Sequence, residues 1–230
     1  MSSLPSRLYV ICDAEVCERA GWALVDFAFA CLDGGARFLQ VRAKHASAGH
    51  LFEWTAAILS RAQTSGAVVV VNDRADIARV AGADGVHVGQ DDLPASMVRR
   101  VAGDAMLVGL STHTMAQVES ALVEPIDYLA VGPVFATNTK ATGHEAVGLA
   151  HVERAVARAC SERSRGASPT LPVVAIGGIT LDRAPAVIRA GAASVAVISD
   201  LLAAGDPVER VRQYLRTLDE IEHGVRGENG

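Results

Sequence analysis

The chain has 230 residues, half of them hydrophobic and only 4% aromatic, so its apolar residues are mostly Ala, Val, Leu and Ile. This composition suits parallel strands buried on both faces, and the length suits one barrel of alternating strands and helices. The formal charge is −5 and no basic run is present, which disfavours a nucleic-acid-binding protein.

Eight short apolar runs flanked by turn residues predict eight β-strands. In chain order they are residues 8–11, 38–41, 68–71, 86–88, 107–110, 128–131, 173–176 and 195–198. Helix-like patterns lie between them, the clearest at 51–62, 116–122, 149–159 and 183–190. A solvent loop is predicted at 161–170, which is rich in Ser, Arg and Gly, and a closing helix at 207–221.

A repeated junction links these elements. Three copies of the pattern Gly-Ala-x-x-apolar-x-Val begin at Gly35, Gly82 and Gly191. In each copy an Ala-rich helix stops at glycine, which accommodates a left-handed cap, and a strand follows. Strict alternation of eight strands with helices matches a closed barrel better than an open sheet. The sequence therefore predicts a single (β/α)8 TIM barrel over residues 1–222 and a disordered tail at 223–230.

The four cysteines form no CxxC pair and have no metal-ligand spacing with His, which indicates a reduced, cytoplasmic protein. The first residues lack the charged start and apolar segment of a signal peptide, and no apolar run could span a bilayer. We therefore expect no membrane partner. The sequence leaves open whether the chain forms a homo-oligomer.

Polar residues gather directly after the predicted strands, where the loops of a β/α barrel build its active site. Strand by strand they are Gln40, Arg42 and Lys44; Asn72, Asp73 and Arg74; Gln90, Asp91 and Asp92; Ser111, Thr112 and His113; Thr137, Asn138, Thr139 and Lys140; Gly177 and Gly178; and Ser199 and Asp200.

Carboxylates from two different strands, together with Arg42 and Lys44, indicate a divalent metal and a polyphosphate. Mg²⁺ is typically held by one or two carboxylates while phosphates complete its shell, and Arg and Lys neutralise phosphate oxygens. The alternative is that the acids Asp73 and Asp92 cap the helices that follow their strands.

A second anion site is indicated at Gly177-Gly178 and Ile198-Ser199. Loops after strands seven and eight often bind phosphate, glycine lets backbone amides approach it, and a following helix adds partial positive charge. His87 is interpreted as a packed group, and Cys12 as a buried, inert thiol. A nucleophilic serine is not expected, because no carboxylate follows Ser111 and His113 in a triad-like arrangement.

These residues form motifs that resemble those of the thiamine phosphate synthase family. The matching segments are Gln40-Val41-Arg42-Ala43-Lys44, Asn72-Asp73, His87-Val88-Gly89-Gln90-Asp91-Asp92, Gly109-Leu110-Ser111-Thr112-His113, residues 132–140, Ala175-Ile176-Gly177-Gly178-Ile179 and Val197-Ile198-Ser199. They occur in the family's order over residues 40–199.

The resemblance implies a Mg²⁺-dependent transferase. It would condense 4-amino-2-methyl-5-hydroxymethylpyrimidine diphosphate with hydroxyethylthiazole phosphate, giving thiamine phosphate and pyrophosphate. The implied contacts to the pyrimidine diphosphate are Gln40, Arg42, Lys44, Asn72, Ser111 and Lys140, with Arg42, Lys44, Ser111 and Lys140 catalytic. The implied metal ligands are Asp73 and Asp92, with Asp91 left open. The implied contacts to the thiazole phosphate are Thr137, Thr139, Gly178, Ile198 and Ser199.

Other activities on the same scaffold remain alternatives, because fold alone does not fix chemistry. A thiazole tautomerase isomerises a thiazole carboxylate phosphate and needs no diphosphate-bound Mg²⁺. A sugar-phosphate isomerase or epimerase, or a ligand-sensing barrel, could keep the phosphate site. The paired acids retained together with Arg42, Lys44 and Lys140 favour the synthase over each of these.

Overall fold

Eight parallel strands close into a barrel in the order in which they occur along the chain, so that the eighth strand pairs with the first. The computed structural model describes residues 4–137, 145–163, 171–203 and 205–227. The strands are β1 (Leu8–Asp13), β2 (Phe38–Arg42), β3 (Val68–Asn72), β4 (Gly85–Val88), β5 (Leu107–Thr112), β6 (Tyr128–Val131), β7 (Val173–Ile176) and β8 (Ser194–Val197). The predicted (β/α)8 barrel is confirmed, with each strand within two residues of its predicted bounds.

Helices surround the barrel. Those in the described residues are α1 (Ala14–Arg19), α2 (Leu24–Asp33), α3 (Ala48–Gln63), α4 (Ala75–Ala81), α5 (Ala95–Ala102), α6 (Met115–Ala121), α7 (Leu149–Arg163), α8 (Ala184–Arg189), α9 (Asp200–Ala203) and α10 (Pro207–Gly227). None of these helices is long and apolar enough to cross a membrane.

Two helices extend well beyond their predicted ends. α7 continues to Arg163, so the first three residues of the predicted loop at 161–170 are helical, and positions 164–170 lie outside the described residues. α10 begins at Pro207 as predicted but continues to Gly227, six residues beyond the predicted end at 221. α10 thus includes residues 223–227 of the tail predicted at 223–230, and positions 228–230 lie outside the described residues.

Alternate residues of each strand point to opposite sides of the barrel wall. Those that point outward pack against the helices and form the larger part of the core. Those that point inward form a second cluster, namely Tyr9, Ile11, Phe38, Val70, Tyr128, Ala130, Val174 and Ala196. The ring of Tyr9 stacks on Phe38 with centroids 3.7 Å apart, and Tyr128 meets both rings edge-on at 6.0 Å. This aromatic layer fills the barrel interior.

The junction glycines behave as the sequence predicts. Gly35, Gly82 and Gly191 all have positive φ, at 103°, 73° and 96°. Each lies between the end of a helix and the strand that follows, where a side chain would be strained. At these turns the chain passes from a helix into the next strand. Because all eight strands are parallel, their carboxyl ends meet on one face of the barrel.

Candidate active site

One cavity of about 350 Å³ opens among the loops at the carboxyl ends of the strands. Eleven of the predicted site residues line it, namely Gln40, Arg42, Lys44, Asn72, Asp73, Asp92, Ser111, Thr137, Gly178, Ile198 and Ser199. Asp91 is not among its lining residues. Thr139 and Lys140 lie outside the described residues. The closed barrel thus brings residues from seven strands to one place, although their individual roles stay predictions.

Two acids meet at the mouth of this cavity. Asp73 follows β3 directly, and its side chain is within hydrogen-bonding reach of Asp92, which lies in the loop after β4. Asp73 has the left-handed backbone conformation, with φ of 63°, and its N–H donates to the carbonyl of His87 at 2.8 Å. A non-glycine residue in this conformation stores strain that is often found at functional positions.

Neither acid caps the helix that follows its strand. The N-cap of α4 is Arg74, and that of α5 is Pro94, each without a side-chain capping bond. Oδ2 of Asp92 instead accepts a hydrogen bond from the N–H of Gly89 at 2.7 Å, within its own loop. The capping alternative therefore fails for Asp73 and Asp92, and both carboxylates face the cavity.

The electrostatics of the acid pair suit a cation. Burial raises the pKa of Asp73, and the hydrogen bond and the negative charge of Asp92 raise it further. The Lys44 ammonium, 3.2 Å from Oδ2 of Asp73, opposes this rise only in part. Two half-buried carboxylates, of which Asp73 is paired with Lys44, would suit Mg²⁺, because Mg²⁺ accepts one or two carboxylates and takes its other ligands from water and phosphate. The described residues contain no cluster of three or more acid, His or Cys ligands, so phosphate oxygens would have to complete the shell.

Arg42 is held by a buried acid that the sequence analysis missed. Asp13, at the end of β1, is 2% exposed and forms an ion pair with Nη1 of Arg42. Its other oxygen accepts a hydrogen bond from the N–H of Val16 at 3.1 Å and caps α1. The Arg42 guanidinium is therefore fixed at the cavity wall. A polar residue directly after an apolar strand was the available signal.

A line of polar side chains crosses the barrel interior beneath the cavity. Nε2 of Gln40 donates to the Tyr9 hydroxyl at 2.9 Å, and this hydroxyl lies 3.0 Å from that of Tyr128. The Tyr128 hydroxyl lies 2.9 Å from Nδ1 of His87, and Nε2 of His87 lies 2.8 Å from Oγ of Ser111. His87 is therefore a packed group, as predicted. The ring nitrogen that does not face Ser111 meets the Tyr128 hydroxyl, whereas a catalytic triad would have a carboxylate at that position.

The far side of the cavity is formed by the loops after β7 and β8. Gly178 has φ of 61°, and a Cβ there would lie 2.7 Å from the carbonyl oxygen of Ala136. Its carbonyl accepts a hydrogen bond from Arg183 at 2.9 Å. α8 begins at Ala184, one residue after its predicted start, so several residues separate it from the Gly177-Gly178 turn, whereas α9 begins immediately after Ser199.

The loop after β8 is tied to the last helix. Oδ2 of Asp200 accepts hydrogen bonds from the Tyr214 hydroxyl at 2.6 Å and from Nη2 of Arg210 at 2.8 Å. Both partners lie on α10, so this helix supports the position of Ser199. Cys12 is fully buried, as expected, and burial raises the pKa of its thiol. Nδ1 of His113 lies 2.6 Å from the Gly132 carbonyl, whereas Oγ of Ser111 lies 2.8 Å from Nε2 of His87.

Known proteins resemble this chain over most of its length. A family model described as thiamine monophosphate synthase matches residues 8–201. The thiamine-phosphate synthase of Anaeromyxobacter dehalogenans is 49% identical over 198 residues, which cover 86% of this chain and 84% of that protein. The thiamine-phosphate synthase of Chloroflexus aurantiacus is 40% identical over 216 residues, 94% of this chain and 93% of that one. Among solved structures, the thiamine phosphate pyrophosphorylase of Pyrococcus furiosus has a TM-score of 0.80 and 29% identity, with 94% and 96% of the two chains covered.

Proposed function

Because the chain belongs to the thiamine monophosphate synthase family, we propose that it is a thiamine-phosphate synthase. It condenses 4-amino-2-methyl-5-hydroxymethylpyrimidine diphosphate with hydroxyethylthiazole phosphate. The bond from the exocyclic pyrimidine carbon to the diphosphate breaks, and the thiazole nitrogen bonds to that carbon. The products are thiamine phosphate and pyrophosphate.

One observation carries this proposal: the acid pair and two cations lie on one side of a cavity whose other side is a glycine turn suited to a second phosphate. Asp73 and Asp92 lie beside Lys44 and Arg42, and Gly178 lies across the cavity with Ser199. A diphosphate and a monophosphate can therefore be bound at once with the two rings between them. This is the arrangement that a condensation of two phosphorylated heterocycles needs.

The residues of the chain act on the leaving group. Arg42, fixed by Asp13, and Lys44 would stabilise the negative charge that grows on the departing diphosphate, and each such donor contributes about 3–4 kcal/mol. Mg²⁺ bound by Asp73 and Asp92 would neutralise further charge on the diphosphate oxygens. Neither a nucleophilic side chain nor a general base is required. Lys140 and Thr139, assigned from the family motif, would contact the diphosphate and the thiazole phosphate respectively.

The binding partners follow from the same chemistry. We propose that the chain takes phosphorylated small molecules, with Gln40, Asn72 and Ser111 contacting the pyrimidine. The free cysteines support a reducing, cytoplasmic environment. The thiazole tautomerase alternative gains no support, because the relatives carry the synthase name and the cavity keeps Arg42, Lys44 and both acids.

The test is an assay of the purified protein with each substrate alone and with both together, with and without Mg²⁺. We expect thiamine phosphate and pyrophosphate to form in equal amounts, and only when both substrates and Mg²⁺ are present. Release of pyrophosphate at the same rate without the thiazole phosphate would contradict the synthase function. Lys140→Ala should remove most of the activity and leave the circular dichroism spectrum unchanged.

A further inference from the structure

A line of hydrogen bonds runs from Gln40 through Tyr9, Tyr128 and His87 to Ser111. Gln40 and Ser111 face the cavity, and the three residues between them form its floor. Gln40 is only 3% exposed, and Tyr9 and Tyr128 are fully buried. Buried hydroxyl groups are costly to leave without partners. Each hydrogen along the line is therefore directed by its neighbour.

The Gln40 amide sets the direction. Because Nε2 of Gln40 donates to the Tyr9 oxygen, the Tyr9 hydrogen is left to donate to Tyr128. The Tyr128 hydrogen then goes to Nδ1 of His87, which leaves the ring proton on Nε2, facing Oγ of Ser111. Ser111 accepts that bond, so its own hydrogen can be directed into the cavity. At the other end, Oε1 of Gln40 is an acceptor for the cavity.

Ring stacking fixes the positions of the Tyr9, Tyr128 and His87 side chains along this line. The Tyr128 ring stacks on the His87 ring at 5.5 Å, and Tyr9 stacks on Phe38. The contact between Tyr128 and His87 needs the space beside Gly109, where a Cβ would lie 2.0 Å from Cζ of Tyr128 and 2.5 Å from Nδ1 of His87. Glycine at this point of β5 thus admits the hydrogen bond between Tyr128 and His87.

We propose that Tyr9, Tyr128 and His87 are positioning residues that fix Gln40 as an acceptor and Ser111 as a donor, so that the cavity selects an aminopyrimidine over its oxo analogue. The inference rests on the proposed function for the identity of the pyrimidine. An aminopyrimidine offers an N–H donor on its exocyclic amine and an acceptor on a ring nitrogen. These match one acceptor and one donor in the cavity.

The oxo analogue inverts both groups, since its exocyclic atom is an acceptor and the adjacent ring nitrogen carries hydrogen. Binding it in the same pose would require the Gln40 amide to turn, both tyrosine hydroxyls to reverse and the His87 proton to move to Nδ1. A site with fixed donors and acceptors rejects a ligand that leaves them unpaired. Selectivity at Gln40 and Ser111 is therefore expected to depend on Tyr9, Tyr128 and His87 as well.

Tyr128→Phe is the test, because it keeps the ring and removes two of the four links. We would measure KM, kcat and calorimetric affinity for the amino substrate and for its 4-oxo analogue. We expect the variant to raise KM for the pyrimidine diphosphate about tenfold and to leave KM for the thiazole phosphate unchanged. The preference for the amino compound in kcat/KM should fall by a similar factor, about tenfold.

Thr55→Val is the matched control, since it removes a buried hydroxyl that donates to the Leu51 carbonyl within α3, away from the cavity. It should leave both KM values and the preference unchanged. Should Tyr128→Phe fail to fold, Tyr9→Phe removes two adjoining links with the same expectation. A folded variant of either kind with the selectivity of the wild type would overturn the proposal, as would a wild type that binds both compounds equally.

Failure of the proposed function is distinguishable from failure of this inference. A wild type that forms no thiamine phosphate, yet binds the amino compound more tightly in calorimetry and loses that preference in Tyr128→Phe, would refute the synthase activity and support the positioning role.

Discussion

The carboxyl group of Asp73 lies within hydrogen-bonding reach of that of Asp92, although the two residues follow different strands. The N–H of Gly89 holds the Asp92 side chain, and the left-handed backbone of Asp73 aims the other. The positive φ of Asp73 and the closeness of the two carboxyl groups cost free energy, and a bound cation would offset this cost.

Asp73→Asn should remove activity without weakening the fold. The amide keeps the shape of the side chain and tolerates positive φ, but it cannot serve as an anionic metal ligand. We expect kcat to fall by about 10²–10³-fold and the melting temperature in the absence of Mg²⁺ to stay equal or rise, because a repelling charge is gone. Asp76→Asn, on the exposed face of α4, is the control and should keep full activity. A Tm that falls markedly in Asp73→Asn would indicate a structural role instead.

Arg42→Ala should destabilise the protein as well as inactivate it. It leaves the carboxylate of Asp13 buried without its cation, and breaking a buried pair in this way costs about 3–5 kcal/mol. The double variant Arg42→Ala/Asp13→Asn should regain part of this free energy of unfolding, since Asn has no charge and still caps α1. Urea denaturation measures both. Equal stability of the single and the double variant would count against the buried pair.

Gly178→Ala should impair the thiazole phosphate more than the pyrimidine diphosphate. The added Cβ would press on the Ala136 carbonyl and on Phe135 and displace the turn. Such a displacement lowers kcat/KM for the thiazole phosphate by about 10–100-fold. Gly66→Ala is the matched control, because Gly66 has φ of 66° and nothing within 4 Å of its Cβ position. Gly66→Ala carries the same strain of a non-glycine residue at positive φ, and its kcat/KM for the thiazole phosphate should not change. Equal effects in both variants would exclude a role in phosphate binding.

His151 should make the fold sensitive to acid. Its ring is buried, and Nε2 has no hydrogen-bond partner in the described part of the chain. Burial, and then the charge of Arg154, lowers its pKa. The neutral form is favoured in the fold, so its contribution to stability is full above the ordinary pKa of about 6.5 and is lost as the pH falls towards the lowered value.

His151→Leu removes this titration. We expect the difference in free energy of unfolding between wild type and His151→Leu to move in favour of the variant between pH 8 and pH 5. The other histidines are common to both proteins and cancel in the comparison. A difference that does not change with pH would contradict the lowered pKa.

Much of the fold and of the cavity can be predicted because the signals are local. Strands such as Val68–Asn72 are uninterrupted apolar runs, and parallel strands place their following loops on one face. Once the barrel is recognised, Asp73 and Asp92 have to lie on the same side of it. Helix ends are harder to predict, since Ser161 to Arg163 are polar yet continue α7.

The floor of the cavity cannot be predicted in the same way. Tyr9 and Tyr128 belong to strands 119 positions apart in the chain, and their contact depends on the stagger of the closed barrel. Gly109 is visible in the sequence, but glycine is needed there because the Tyr128 and His87 rings occupy the adjacent space in the barrel interior. Asp13 could have been recognised as a polar residue after β1, whereas its pairing with Arg42 follows only from the register of β1 on β2.

The most direct measurement is calorimetric titration of Mg²⁺ into the wild type, Asp73→Asn and Asp92→Asn, with and without pyrophosphate. We expect the wild type to bind Mg²⁺ more tightly when pyrophosphate is present, and each substitution to weaken that binding by at least about tenfold. Identical Mg²⁺ affinities in all three proteins, with pyrophosphate bound, would contradict a metal site formed by this pair of acids.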